Sequence, residues 1–219
     1  MTRKKEGTNL MQTRKPGKRS LRLLTAVLCL LLPVLLLTAC GSGSGKLDTK
    51  LDWYAKIDVK DYGTITVKLE PKDAPLTCAN FVSLAQDGFY NGLTFHRILE
   101  GFMIQGGDPL GNGTGGSGTN IKGEFSSNGV KNPLKHTRGA ISMARAKNPD
   151  TASSQFFIMQ ETWESLDGQY AAFGYVTEGM EVVDAIAADA RPLDKNGTIA
   201  RDEQPVISSV TVWSQEKQK

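Results

Sequence analysis

Two spacings of apolar residues succeed one another along this chain. In YAKIDVKDYGTITVKLEP, residues 54–71, apolar and polar residues take turns on either side of KDYG, the pattern of a β-hairpin. At Ala74-Pro75 the period lengthens. Cys78, Phe81, Val82 and Ala85 then recur at i, i+3, i+4 and i+7, the buried face of a helix. Proline suits its opening, where the missing N–H costs nothing, and Asp87-Gly88 closes it. Short β segments are expected at LTFHRI, FMIQGG, GAISMA, SQFFIM, YAAFGYV and PVISSVTVW, all rich in branched and aromatic residues. A second helix, GMEVVDAIAADA, carries Met180, Val183 and Ala187 on one face, and residues 111–123 read as glycine-rich loop. Many short strands, two helices and no βαβ rhythm predict an antiparallel barrel or sandwich with helical caps.

The first forty residues follow neither spacing. Residues 1–22 hold eight Lys/Arg against Glu6 alone, and Leu23 to Cys40 carries no charge. A basic segment followed by an apolar one is an export signal. Pro33 and the GSGSG that follows argue against a membrane span. Leu37-Thr38-Ala39-Cys40 resembles the lipobox of bacterial lipoproteins, which implies cleavage before Cys40 and a lipid anchor on its sulfur. The expected layout is a lipoprotein signal peptide at 1–39, lipidated Cys40 with a flexible linker at 40–52, one domain at 53–214 and a polar tail at 215–219. The expected location is the extracytoplasmic face of a bacterial membrane.

Cleavage changes the charge. The 219 residues carry +3, but without residues 1–39 there remain 18 basic and 22 acidic residues, so the basicity belongs to the signal and gives no support for nucleic-acid binding. Cys78 is then the only thiol besides Cys40, and no internal disulfide is expected.

Several motifs are decoys. Gly111, Gly113 and Gly116 match G-x-G-x-x-G, but Asp108-Pro109 precedes them where a dinucleotide site needs a strand, and more glycine follows where it needs a helix. His96 and His136 are the only histidines and no cysteines pair, so no metal or other cofactor is expected. No G-x-S-x-G serves a hydrolase. Asn112-Gly-Thr and Asn196-Gly-Thr match a glycosylation triplet that a bacterial lipoprotein leaves idle. Asp194-Lys195 and Asp202-Glu203 read as solvated loop.

The informative stretch is FHRILEGFMIQGGD, which sets Arg97 in an apolar run. With APLTCANFVSLA before it, and GNGTGG, LKHTRGAISMA, SQFFI, LDGQYAAFG and VTEGMEVVDAI after it, it resembles the cyclophilins, peptidyl-prolyl cis-trans isomerases, from about Ile57 to Val212. The resemblance implies a closed eight-stranded antiparallel β-barrel capped by two α-helices. It further implies a catalytic set of Arg97, Gln105 and Phe102. Met103, Phe157 and Leu166 would complete the proline pocket with Phe102, and Gln155 would line it. His96 would line the groove beyond proline, and Ala144 and Arg145 would contact substrate backbone.

Three departures stand out. Arg145 occupies a position held by Asn in a familiar member, Ser165 stands where animal members carry Trp, and Tyr170 replaces a pocket histidine. Trp163 lies two residues earlier. The tryptophan is associated with cyclosporin affinity, so binding of that drug is expected to be weak at most. The expected partners are proline-containing exported or unfolded polypeptides, met by a monomer. The alternatives are a non-catalytic module that binds proline peptides and a chaperone on the membrane surface.

Overall fold

The computed structural model describes residues 45–217. The expected signal peptide and Cys40 lie outside the described residues. Eight strands form one antiparallel sheet: β1 Leu51–Val59, β2 Gly63–Leu69, β3 Thr94–Leu99, β4 Met103–Asp108, β5 Ala140–Met143, β6 Phe156–Met159, β7 Ala172–Glu178 and β8 Ile207–Glu216. Two helices, α1 Pro75–Gln86 and α2 Met180–Asp189, complete the expected elements. Among the described residues no helix is long and apolar enough to cross a membrane.

The sheet order is β3-β4-β6-β5-β7-β2-β1-β8. Strand number, antiparallel sense and helix count are as the sequence predicts. Full closure is not: the ladder stops at β3 and β8, and the sheet is a half-barrel. Its seam is stitched by the single bridge Thr94–Val206 and by bonds such as Phe95 N–H to Pro205 O (2.9 Å) and Ile207 N–H to Leu93 O (2.8 Å). β1 and β8 pair from Leu51 opposite Glu216 onward. Leu47 packs on the core and the Trp53 indole N–H donates to Asp48 O, so the linker's last residues are tied down.

Strand alternation divides the apolar residues between two clusters. On β6, Phe156 and Ile158 enter the main core while Phe157 and Met159 enter a smaller cluster; on β4, Ile104 and Met103 divide the same way. α1 covers the main core with Cys78, Phe81, Val82 and Ala85, and α2 with Val182, Val183, Ile186 and Ala187. Met180, expected on that face, is only half-buried. Cys78 is buried and its Sγ lies 3.4 Å from Phe173 O; burial pushes its pKa well up, which suits a core thiol rather than a nucleophile.

The N-terminus of α1 has no side-chain cap from its own N-cap residue. Buried Glu124 supplies one from 47 residues away, accepting from the Leu76 N–H at 3.0 Å, the Thr77 N–H at 2.8 Å and the Thr77 hydroxyl at 2.7 Å. A carboxylate there meets both the orphan donors and the positive end of the helix dipole.

Candidate functional site

Regular alternation would send Arg97 to the same face as Phe95, into the main core. The β3–β4 register prevents this. Phe95 pairs with Gly106 and Arg97 with Gln105, so two steps on β3 match one on β4 and His96 is a β-bulge. The bulge reverses the phase: Phe95 and Ile98 both enter the core, and Arg97 is half-buried on the other side.

Two acceptors hold its guanidinium. Nε donates to Asn196 O at 2.6 Å, and Nη1 to Gln105 Oε1 at 3.1 Å. Nη2 has no acceptor among the described residues. Burial lowers the Arg97 pKa, against the upward pull of Tyr170 and Asp194, but a guanidinium stays charged. Gln105 Nε2 donates onward to Gln155 Oε1 at 3.0 Å, and Gln155 Nε2 to Gly115 O at 2.8 Å. The glycine-rich decoy therefore anchors a glutamine through its carbonyls.

Beside this polar chain lies the smaller apolar cluster. Met103 and Phe157 are buried in it, with Phe102, Ala144, Leu166 and Tyr170 half-buried around them. Arg97 Nη1 is 4.0 Å from Met103 Sδ, so the charge sits at the edge of the apolar patch. Tyr170 meets Phe157 edge-on with centroids 5.8 Å apart. A groove of about 410 Å³ continues past Gln105 and Gln155 to Ala144 and Arg145. The structure thus brings together Arg97, Phe102, Met103, Gln105, Ala144, Arg145, Gln155, Phe157, Leu166 and Tyr170.

His96 is placed differently. Its ring is buried and neither nitrogen has a hydrogen-bond partner among the described residues. Burial lowers its pKa, more than Asp108 raises it. His136 lies behind the cluster, stacked on Phe157 at 6.0 Å, with Nδ1 3.1 Å from Asp167 Oδ1 and Nε2 3.0 Å from Ser142 Oγ.

Arg145 is not free at the rim. Its Nε and Nη2 donate to Gln169 O, and its guanidinium lies over the Tyr170 ring at 4.6 Å and the Phe125 ring at 5.1 Å. Trp163 does not stand in for a tryptophan at 165. Its ring packs on Phe102 at 4.6 Å and its Nε1–H donates to Gly101 O.

Sequence reasoning missed Asn196 and Asp194. Asn196 contributes a carbonyl, which no side-chain pattern marks. Asp194 holds that carbonyl's turn: Oδ1 accepts from the Asn196 N–H (2.9 Å) and Thr198 N–H (3.1 Å), and Oδ2 from the Thr198 hydroxyl (3.0 Å).

Comparison with known proteins agrees with this geometry. The family model described as cyclophilin type peptidyl-prolyl cis-trans isomerase/CLD matches residues 54–212. A peptidyl-prolyl cis-trans isomerase of Helicobacter pylori is 51% identical over 126 residues, 57% of this chain and 74% of that protein. Peptidyl-prolyl cis-trans isomerase B of Bacillus subtilis is 50% identical over 123 residues, 56% of this chain and 82% of its own length. A crystal structure of a Cryptosporidium parvum cyclophilin-type isomerase, solved in the presence of the dipeptide Ala-Pro, superposes with a TM-score of 0.64 at 32% identity, covering 74% of this chain and 99% of that one.

Proposed function

The chain belongs to the cyclophilin family and is a peptidyl-prolyl cis-trans isomerase; from that premise we propose that Arg97 drives the reaction by hydrogen-bonding the prolyl nitrogen of a twisted X–Pro bond. The X–Pro amide is planar by resonance, with a rotation barrier of about 18–20 kcal/mol. No bond breaks in the reaction. As the amide twists, the nitrogen recovers its lone pair and becomes an acceptor, which it is not in the planar ground state. A donor aimed at that atom binds the transition state better than the substrate.

The observation that carries this reading is the position of the Arg97 guanidinium. It is fixed by Asn196 O and Gln105 Oε1, keeps Nη2 without an acceptor among the described residues, and lies 4.0 Å from Met103 at the edge of an apolar cluster. Phe102, Met103, Phe157 and Leu166 would grip the proline ring, with Tyr170 closing the side. Gln105 and Gln155 would hold the peptide backbone and the aim of the arginine. His96, one residue before Arg97 and against the glycine loop, would border the chain beyond proline.

The arginine cannot act alone. Going from roughly 0.01 to roughly 1000 per second removes about 7 kcal/mol of barrier. One charged hydrogen bond contributes about 1.5–3 kcal/mol. The remainder falls to gripping the ring while the flanking carbonyl rotates.

The substrates would be proline-containing segments of exported polypeptides. The basic and apolar segments before Cys40 support a signal peptide and a lipid anchor on the outer face of a bacterial membrane. Loss of labelled-lipid incorporation in Cys40→Ala would support the anchor; incorporation that persists would remove it. The reaction itself is tested by prolyl exchange in a short Ala-Pro peptide, wild type beside Arg97→Ala. Fast exchange that collapses in the variant supports the mechanism. Exchange that persists overturns it, and slow exchange in both with the peptide still bound points to a binding module.

A further inference from the structure

Arg97 needs its guanidinium aimed, and one of its two anchors is a main-chain carbonyl on an exposed loop. A carbonyl of this kind points wherever its turn points, so the question is what fixes the turn. The segment 193–199 lies along the outer edge of β3. Thr198 bridges Arg97, the Ile98 N–H donates to Gly197 O at 2.8 Å, and the Ile199 N–H donates to His96 O at 3.0 Å. These bonds dock the loop on the strand but leave the tip at Asn196 outside the bridge.

The tip is held by one side chain. Asp194 accepts from the Asn196 N–H, the Thr198 N–H and the Thr198 hydroxyl, all between 2.9 and 3.1 Å, and its own carbonyl accepts from the Gly197 N–H at 3.2 Å. The turn is closed tightly around Gly197. That residue has φ +87°, and a Cβ there would lie 2.6 Å from Ile98 O, so the backbone passes too close to β3 for any larger residue. With the turn closed, Asn196 O reaches Arg97 Nε at 2.6 Å.

We propose that Asp194 is a positioning residue for the catalytic arginine, acting through the Asn196 carbonyl. The inference rests on the role given to Arg97 above. It acts through geometry rather than charge, because Asp194 is exposed and solvent screens its pull on the guanidinium. Loss of the side chain frees the turn, the carbonyl leaves Nε, and the guanidinium keeps only Gln105 to set its direction. A donor that must meet a transient lone pair loses rate when it wanders, while ground-state binding in the apolar pocket is untouched.

The test is a double-mutant cycle of Asp194→Ala and Arg97→Ala, with Asp194→Asn as the conservative variant. The readouts are kcat and KM for Ala-Pro peptide exchange and the NMR signal of the Arg97 Nε–H. Asp194→Ala is expected to lower kcat about ten- to a hundredfold with KM nearly unchanged, and to shift the Nε–H signal. Asp194→Asn, whose amide oxygen still accepts the Asn196 and Thr198 N–H groups, should restore most of the rate. In the Arg97→Ala background the Asp194→Ala change should cost nothing further. Full activity of Asp194→Ala beside a collapsed Arg97→Ala overturns the role of Asp194 and spares the arginine. Losses that multiply in the double variant overturn it as well, since they mark a general structural effect. An active Arg97→Ala overturns both.

Discussion

Arg97 and Gln105 are partners twice over: their backbones pair across β3 and β4, and the guanidinium Nη1 lies 3.1 Å from the amide oxygen. The bulge at His96 makes this possible, by turning Arg97 away from the core that Phe95 and Ile98 enter. An arginine forked between two acceptors cannot be replaced by a point charge. Arg97→Lys should therefore lose nearly as much prolyl exchange as Arg97→Ala, roughly ten- to 150-fold, with the unfolding temperature little changed. A lysine variant with near wild-type exchange would show that charge alone suffices.

Trp163 does not stand in for a tryptophan at position 165, since its indole donates to Gly101 O and its ring packs at a tilt against Phe102. The wild-type protein should bind cyclosporin weakly, and Ser165→Trp should tighten binding about tenfold or more, as buried tryptophan anchors do. Titration by intrinsic fluorescence measures both. Tight binding by the wild type, or no gain in the variant, would refute the assignment.

Glu124 caps α1 from a distant loop, and its carboxylate hydrogen-bonds to Leu76 and Thr77 rather than to a site residue. Glu124→Ala would orphan the Leu76 N–H and the buried N–H and hydroxyl of Thr77 and should cost about 1–3 kcal/mol, a fall of several degrees in Tm for a domain of this size. The kcat of the folded protein should hold. Calorimetry beside exchange kinetics separates the two effects, and an unchanged Tm would deny Glu124 its capping role.

His96 and His136 are both buried with lowered pKa values, burial being the larger cause in each. The folded state therefore binds fewer protons than the unfolded chain. Stability is complete above the ordinary histidine value of about 6.5 and falls as the pH drops toward the lowered folded values. His136 keeps Asp167 opposite it, whereas His96 has no hydrogen-bond partner among the described residues, so His96→Gln should flatten the decline between pH 7 and 5. Thermal melts across that range decide it; an identical slope in the variant would exclude His96 as the source.

What could be read in the sequence was whatever depends on local order. Period-two alternation marked the first hairpin, branched and aromatic runs marked the later strands, and the spacing of Cys78, Phe81, Val82 and Ala85 marked α1. The run from Phe95 to Asp108 carried Arg97, Phe102, Met103 and Gln105 together, because adjacent strands place them on one face. What could not be read depends on distant chain or on main-chain atoms. Asn196 reaches Arg97 across 99 residues through a carbonyl any residue could offer. Asp194 looked like solvated loop because its partners are its own neighbours' N–H groups. Arg145 was expected only to contact substrate backbone, because its places over Tyr170 and Phe125 exist only in three dimensions. The bulge at His96 leaves no mark in composition, yet it decides which way the arginine faces.

The pairing of β1 with β8 has a consequence for how this chain comes into being. The first strand takes the last as its outer partner, from Leu51 opposite Glu216 to Val59 opposite Ile207. A polypeptide emerging N-terminus first cannot finish its sheet while Ile207–Glu216 is still being delivered, so β1 waits through nearly the whole length of the domain with one edge bare. Folding is thus deferred until residues 207–216 have been delivered, and a nascent chain truncated before residue 207 should stay open to proteases however much of the catalytic face it already contains.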